Sequence, residues 1–451
     1  MAKALVSPPT EAYRRFELNP AQTIVLGFAL TVLAGVVLLT LPVSTVDGKG
    51  APFLTALFTA MSATCVTGLV VEDTATYYSL FGQLVILLLI QVGGLGYMTS
   101  ATLFSILVGR RIGLRERIIL MEAYNLHTLG GVVRLTRNVV LLALAFQGIG
   151  ALLLALRWIP EFGWWRGMYY SLFHAVSAFN NAGFDLMGGF RSLTRYVLDP
   201  YVNLVMGALV IAGGLGFIVL ISLPRFPKVN LHAKVVLMTS AALLGVGTLL
   251  ILFLEGGNPL TLGRLPPWGK LLAAFFQSVT PRTAGFSTLD TAGLREPTLL
   301  ALSVLMFIGA SPGGTGGGIK TTTFTVLLAA IWTMIRGRQD VELYNRRIPI
   351  VVVYKALTIA LVAIALVVFV TILLSVFEGI RVISALFEVV SAFGTVGLST
   401  GITPSLTPIG KVLLIITMFL GRVGILTFAL VFTGRQAPMR YRLPEERVLV
   451  G

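Results

Sequence analysis

Four stretches of this sequence share a pattern whose chemistry lies in the main chain. FTAMSATCVTGL begins at Phe58, FHAVSAFNNAGF at Phe173, FFQSVTPRTAGF at Phe275 and FEVVSAFGTVGL at Phe387. In each, a Phe precedes a Gly by ten residues, and Leu or Phe follows that Gly. Glycine tolerates positive φ, so its carbonyl can turn inward without a side-chain clash. Carbonyls gathered on one axis can replace the hydration shell of a potassium ion. Stripping that shell without replacement costs on the order of tens of kcal/mol on a Born estimate. The candidate K+-binding backbone is therefore Cys65, Val66, Thr67 and Gly68; Asn180, Asn181, Ala182 and Gly183; Arg282, Thr283, Ala284 and Gly285; and Gly394, Thr395, Val396 and Gly397.

Other chemistry is missing from the pattern. No paired carboxylates and no nucleophile with a base stand out, so the sequence predicts no enzyme and no resident cofactor. One cysteine, Cys65, excludes a disulfide scaffold or a thiolate metal site. His127, His174 and His232 are scattered and form no metal spacing. Asp73, Asp185 and Asp290 lie near the glycine segments. They read either as a mouth that concentrates cations or as ordinary surface carboxylates. Glu388, inside the fourth stretch, reads as a structural hydrogen-bonding group.

A second glycine pattern follows each stretch: GGLG at Gly93–Gly96, GGLG at Gly213–Gly216, GGTG at Gly313–Gly316 and GRVG at Gly421–Gly424. At Gly93 and Gly213 the expected role is close helix packing, which small residues permit. The third copy lies inside GASPGGTGGGIKTTT, where glycines and a proline break the helix expected from about Pro297 to Trp332. This flexible stretch, just inside the ring, could block or open the path. A phosphate loop is disfavoured: Ile319 separates Gly318 from Lys320, and the setting is membrane rather than strand–loop–helix. In the fourth copy Arg422 takes the place of Gly94, Gly214 and Gly314. A charge at that depth costs several kcal/mol, roughly, and is functional by default. It reads as an electrostatic barrier to cations, against the alternative of a stabilised helix junction.

The elements that must position these residues belong to a membrane. Of 451 residues 56% are apolar and 12% charged, too few charges to cover a soluble surface. Each repeat reads as a long apolar helix, a segment of about 13 residues too short to span, a glycine loop, and a second apolar helix. The predicted fold is all-α and integral to the membrane: four helix–re-entrant pore helix–helix repeats, with eight spanning helices, around a pseudo-fourfold central pore. The divisions are 1–20 as an N-terminal segment, repeats at 21–109, 110–224, 225–340 (with the gate loop) and 341–434, and 435–451 as a C-terminal segment. The net charge of +15 clusters in alternate connections. By the positive-inside rule those connections and both termini are cytoplasmic. The charge thus reads as topology and anionic lipid rather than nucleic acid. The polar, basic N-terminus carries no signal-peptide pattern.

The glycine segments, the SPGGTGGGIKTTTF loop and GRVGILTF with Arg422 resemble the superfamily of potassium transporters that includes TrkH, KtrB and plant HKT proteins. The resemblance runs from Asn19 nearly to the end. The start of the first apolar helix near Ala21 and the ending RLPEERVLVG look like the KtrB branch. The resemblance implies a multi-pass protein of a prokaryotic cytoplasmic membrane, a homodimer with one pore per protomer. It also implies a cytoplasmic ring of RCK-domain subunits, of KtrA or KtrC type, that binds nucleotide in place of this chain. Family uptake is often sodium-dependent, so Na+ is an expected activator. In HKT relatives serine at the first filter position goes with sodium transport, and Gly68 here favours potassium. The family gate loop corresponds to Ala310, Ser311, Pro312, Gly313, Gly314, Thr315, Gly316, Gly317, Gly318, Ile319, Lys320 and Thr321, and the family arginine to Arg422. Residues near Gly451 resemble a dimer-contact segment, and Arg282 is expected to point away from the axis. Two other classes compete: a sodium-coupled secondary carrier with midplane sites on broken helices, and a membrane scaffold that transports nothing.

Overall fold

A computed structural model describes residues 20–96, 99–100, 102–103, 113–123, 131–225, 229–425 and 427–428. The expected contact at Gly451 and most of both terminal segments fall outside the described residues.

Each repeat opens on a long helix: Pro20–Leu39, Val132–Phe162, Leu231–Glu255 and Ile350–Glu378. All four are long and apolar enough to cross a membrane. They expose apolar side chains outward, such as Leu361, Phe369 and Ile372, because lipid rather than water is the solvent there. The short helices follow at Phe53–Thr64, Trp164–Phe179, Pro267–Val279 and Val382–Gly394. Their C-terminal halves are buried on every side; in the last, Phe387 through Gly394 is buried without interruption.

The second helices depart from the expectation of plain spans. They run Leu80–Leu95, Pro200–Leu215, Glu296–Phe307 and Pro408–Val423, and each then breaks. In repeats 1, 2 and 4 the break is the last glycine of the second pattern: Gly96, Gly216 and Gly424 have φ of 82°, 91° and 90°. A residue in that region cannot continue a right-handed helix. In repeat 3 the chain leaves the helix at Phe307 and resumes at Thr321–Ile335, as the glycine run predicted. The all-α expectation also misses one small feature, a two-residue antiparallel pair of Glu342–Leu343 with Arg346–Arg347 between repeats 3 and 4.

The starts of the second helices are fixed by caps. Ser79, Asp199 and Thr407 accept from backbone N–H groups of the first turn, and Pro200 and Pro408 sit where a missing N–H costs nothing. Repeat 3 uses a buried carboxylate instead. Glu255 accepts from Arg295 N at 3.0 Å and from the Thr298 hydroxyl at 2.5 Å.

Packing between repeats is cyclic. The second helix of repeat 1 packs on the short helix of repeat 2, that of repeat 2 on repeat 3, that of repeat 3 on repeat 4, and that of repeat 4 back on repeat 1. The four short helices are thereby held on the inside of the bundle, with their C-terminal ends and the glycine loops together.

Candidate ion pathway

The glycine loops share one backbone conformation. Two residues before each glycine the chain is left-handed: Val66, Asn181, Thr283 and Thr395 have φ of 57°, 59°, 73° and 52°. The glycines Gly68, Gly183, Gly285 and Gly397 follow at 86°, 71°, 75° and 93°. Three of the four non-glycine positions are β-branched, for which this region is a genuine outlier. Left-handed backbone at each costs roughly 1–2 kcal/mol. Strain of this kind persists only where the surroundings impose it, and it gathers at functional sites.

The imposing surroundings are the short helices. Thr67 N donates to Ser62 O, Ala182 N to Ser177 O and Val396 N to Ser391 O, each at 2.8 Å; Ala284 N donates to Thr280 O at 2.9 Å. Gly68 N and Gly397 N donate to the hydroxyls of Ser62 and Ser391 at 3.1 Å. Loop N–H groups are thus bonded back into the helix. Among the described residues the loop carbonyls receive no hydrogen bond, the Asn181 amide nitrogen donating instead to Ala178 O and Val210 O at 3.0 and 3.1 Å. The loops are buried, with Val66, Thr67, Asn181, Ala182, Thr283 and Val396 fully so. Buried carbonyls without donors require a cation or water.

The glycines also locate the loops relative to one another. A Cβ on Gly68 would strike the Ala182 carbonyl oxygen, and one on Gly183 would meet Ala284 O and Gly285 Cα. A Cβ on Gly285 would strike Val396 O, and one on Gly397 would strike Thr67 O. The contacts run in order from the first loop to the fourth and return to the first. The four glycines, with Thr67, Ala182, Ala284 and Val396 before them, are brought into one ring.

Side chains behind the ring differ by repeat. Cys65 is buried beside Met61. The Asn180 amide donates to Gln91 Oε1 at 2.8 Å, and Gln147 joins it at 2.9 Å. Arg282 lies behind its loop, lining a cavity with Val210, Gly214, Ser240 and Leu244. On the outer side, Asp73 accepts from the N–H groups of Gly189 and Phe190, tying repeat 1 to repeat 2. Asp185 accepts from Met187 N at 2.9 Å. Burial, with Asp73 adding to it, pushes its carboxyl up to about 6. Asp290 caps a turn through Ala292 N at 3.0 Å.

The loop between the halves of the broken helix lies directly under the ring. A Cβ on Gly316 would meet the Thr283 side chain, and one on Gly317 the Thr395 side chain. Gly317 N donates to the Thr395 hydroxyl at 2.9 Å, and Thr315 Oγ1 to Phe179 O at 3.2 Å. Ser311 N and Thr315 N donate to Gly214 O and Gly213 O at 2.9 and 3.2 Å. Gly309 N donates to Ile319 O, and Thr321 Oγ1 to Ser311 Oγ, both at 2.9 Å. Lys320 Nζ donates to Gly316 O at 2.8 Å. Arg422 joins the two sides: one guanidinium nitrogen donates to Thr315 O, the other to Gly93 O and Gly94 O. The packing role expected for the second glycine pattern is seen as well. A Cβ on Gly93, Gly213 or Gly421 would strike the carbonyl of Thr64, Phe179 or Phe393, at the C-terminal end of that repeat's short helix.

Sequence reading missed the left-handed residues and the helix breaks at Gly96, Gly216 and Gly424. It also missed Ser62, Ser177 and Ser391, which recur six residues before the glycine and fasten the loop. Their identical position in three repeats was a usable signal.

The model of the cation transport protein family TrkH matches residues 20–437. The chain is 44% identical to the Ktr system potassium uptake protein B of Bacillus subtilis, over 96% of this chain and 97% of that one. It is also 44% identical to the potassium/sodium uptake protein NtpJ of Enterococcus hirae, over 97% of this chain and 98% of that one. Among solved structures, the potassium transporter TrkH from Vibrio parahaemolyticus superposes with a TM-score of 0.74 at 17% identity, covering 94% of this chain and 87% of that one. Fold and helices together define a multi-pass membrane protein. The chain belongs to the TrkH family of cation transport proteins.

Proposed function

We propose that this chain is the K+-translocating membrane subunit of an uptake system, working as a channel. The single observation that supports it most is the ring of buried loops, most of whose N–H groups bond back into the short helices while the carbonyls receive no hydrogen bond from the described residues. Four helix C-termini aim at that ring, each equivalent to roughly half a negative charge. Dipoles of this kind offset the desolvation of a monovalent cation without holding it too tightly to leave. The Ala310–Thr321 loop with Arg422 is the gate beneath the ring. Eight transmembrane passes around this axis, with both termini cytoplasmic, complete the architecture.

The relatives' names extend the reading. A subunit of a Ktr-type system requires a partner, and a cytoplasmic RCK-type ring that binds the nucleotide is the partner expected, acting on a homodimer. Na+ is proposed as an activator. The Enterococcus relative, named for potassium and sodium uptake, favours a second reading, a sodium-coupled carrier. Flux into liposomes separates the two. The channel reading expects K+ entry driven by a K+ gradient alone, with a linear current–voltage relation. Saturating K+ flux that stops without a Na+ gradient would establish the carrier.

The outer acids give a pH prediction. A carboxyl titrating near 6 is charged at pH 7.5 and neutral at pH 5. Acidification therefore removes negative charge from the mouth. Uptake at subsaturating external K+ should fall about two- to threefold between those values, the modest focusing expected of one screened charge. Asp185→Asn should start low and lose the pH step; a step of unchanged size in that variant would remove Asp185 from the mouth.

A further inference from the structure

The segments that leave the ring are fastened unequally. Nine residues before the ring glycine, the four short helices carry Thr59, His174, Phe276 and Glu388. Three residues after it, the backbone N–H belongs to Val71, Leu186, Thr288 and Thr400. In repeats 2 and 4 these two positions bond directly. Leu186 N donates to His174 Nε2 at 3.3 Å, and Thr400 N donates to Glu388 Oε1 at 2.9 Å. His174 can accept there because its Nδ1–H is taken by Tyr170 O at 2.7 Å. Repeat 1 has no such bond: the Thr59 hydroxyl is occupied by Tyr78. Repeat 3 has Phe276, which cannot accept one. Repeats 2 and 4 stand opposite each other in the ring.

The fourth fastening is the stronger. Glu388 is fully buried. Besides Thr400 N it accepts from the hydroxyls of Ser399 at 2.6 Å, Thr400 at 3.2 Å and Thr403 at 2.9 Å. Hydrogen bonds to a carboxylate are about twice as strong as neutral ones. Gly397 is therefore clamped from both ends, by Ser391 on its N–H side and by Glu388 three residues beyond. Between the clamps its left-handed backbone has little room to relax.

We propose that His174 and Glu388 are positioning residues of the ion ring, and that the Glu388 carboxylate is what keeps the fourth loop narrow enough to tell K+ from Na+. The proposal rests on the ring being the ion site. Glu388→Gln keeps the size and replaces an acceptor oxygen by a donor NH2 that faces the same hydroxyls. The K+/Na+ uptake ratio in liposomes should fall about tenfold, the scale of one charge-assisted hydrogen bond lost. Thr403→Val, which leaves the carboxylate in place and removes one donor, should lower the ratio less. It also serves where the Gln variant does not fold.

Glu255→Gln is the matched control. Glu255 is likewise buried and accepts from four donors, among them Asn258 and Thr261 at 2.6 and 2.5 Å. It fastens the start of a helix and touches no ring loop. It should lower the melting temperature and leave the ratio alone. Glu388→Gln or Thr403→Val protein that is merely less stable, with the ratio of the unaltered chain, overturns the proposal. Gly397→Ala tests the underlying reading separately, since a ratio unmoved by that change means the ring is not the ion site.

Discussion

Gly68→Ser is expected to abolish most discrimination between K+ and Na+ while leaving a folded protein. Two costs meet at this position. A serine at φ of 86° is strained by roughly 1–2 kcal/mol. Its Cβ also points at backbone, the Ala182 carbonyl oxygen and the Gly183 Cα, rather than at a side chain able to swing aside. The loops of repeats 1 and 2 must move apart, and the carbonyls facing the ion no longer share one radius. The hydroxyl adds an acceptor that suits a smaller, more strongly hydrated cation. The K+/Na+ uptake ratio should fall by about tenfold or more, which corresponds to roughly 1.4 kcal/mol or more of differential binding. Parallel K+ and Na+ flux into liposomes measures it, with a melting curve to exclude misfolding. An unchanged ratio in folded protein would falsify the assignment of the first loop. Gly285→Ser should behave alike, because its Cβ would strike Val396 O.

The sequence made the ring legible and hid its mechanics. Repetition was visible because Gly68, Gly183, Gly285 and Gly397 recur with the same Phe ten residues before them. The short helices were legible because segments of about 13 apolar residues cannot span. The break in the second helix of repeat 3 was legible because Pro312 and its glycines cannot stay helical. The left-handed residues were not legible. Val66, Thr283 and Thr395 are β-branched types that disfavour that conformation, and only the bonds from Thr67, Ala284 and Val396 into the short helices impose it. Local propensity and tertiary constraint conflict there, as happens at functional sites. The breaks at Gly96, Gly216 and Gly424 were hidden for the opposite reason. Glycine is ordinary in membrane helices, and nothing in GGLG distinguishes a packing glycine from a terminating one. Position in the fold does: in repeats 1, 2 and 4 the first glycine of the copy faces a short-helix carbonyl, and the last ends the helix.

Arg422→Ala should open the pathway at rest, with the largest gain in flux of any single change. In the intact chain the guanidinium bridges the Ala310–Thr321 loop at Thr315 O to the second helix of repeat 1 at Gly93 O and Gly94 O. Two effects are removed together. The first is a tether of charge-assisted hydrogen bonds, each worth roughly 1.5–3 kcal/mol. The second is a fixed positive charge beside the route of a cation. At about 6 Å and an effective dielectric near 20, that repulsion is close to 3 kcal/mol. Screening by the passing ion's own hydration lowers it, so a resting flux raised about tenfold is the expected result rather than the hundredfold of the bare estimate. Arg422→Lys separates the two terms. Lysine keeps the charge and loses the planar fork that reaches both carbonyls, so flux rises fully only if the tether dominates. Deleting Ser311–Gly317 removes the loop that Arg422 holds, and Arg422→Ala on that background should add only the electrostatic share. In the point variants the bonds from Ser311 N and Thr315 N to Gly214 O and Gly213 O should still tie the loop to the second helix of repeat 2, so the loop is loosened rather than lost. Flux through Arg422→Ala no higher than through the unaltered chain, in protein of normal melting temperature, would make the arginine a helix-junction brace and leave the loop without its latch.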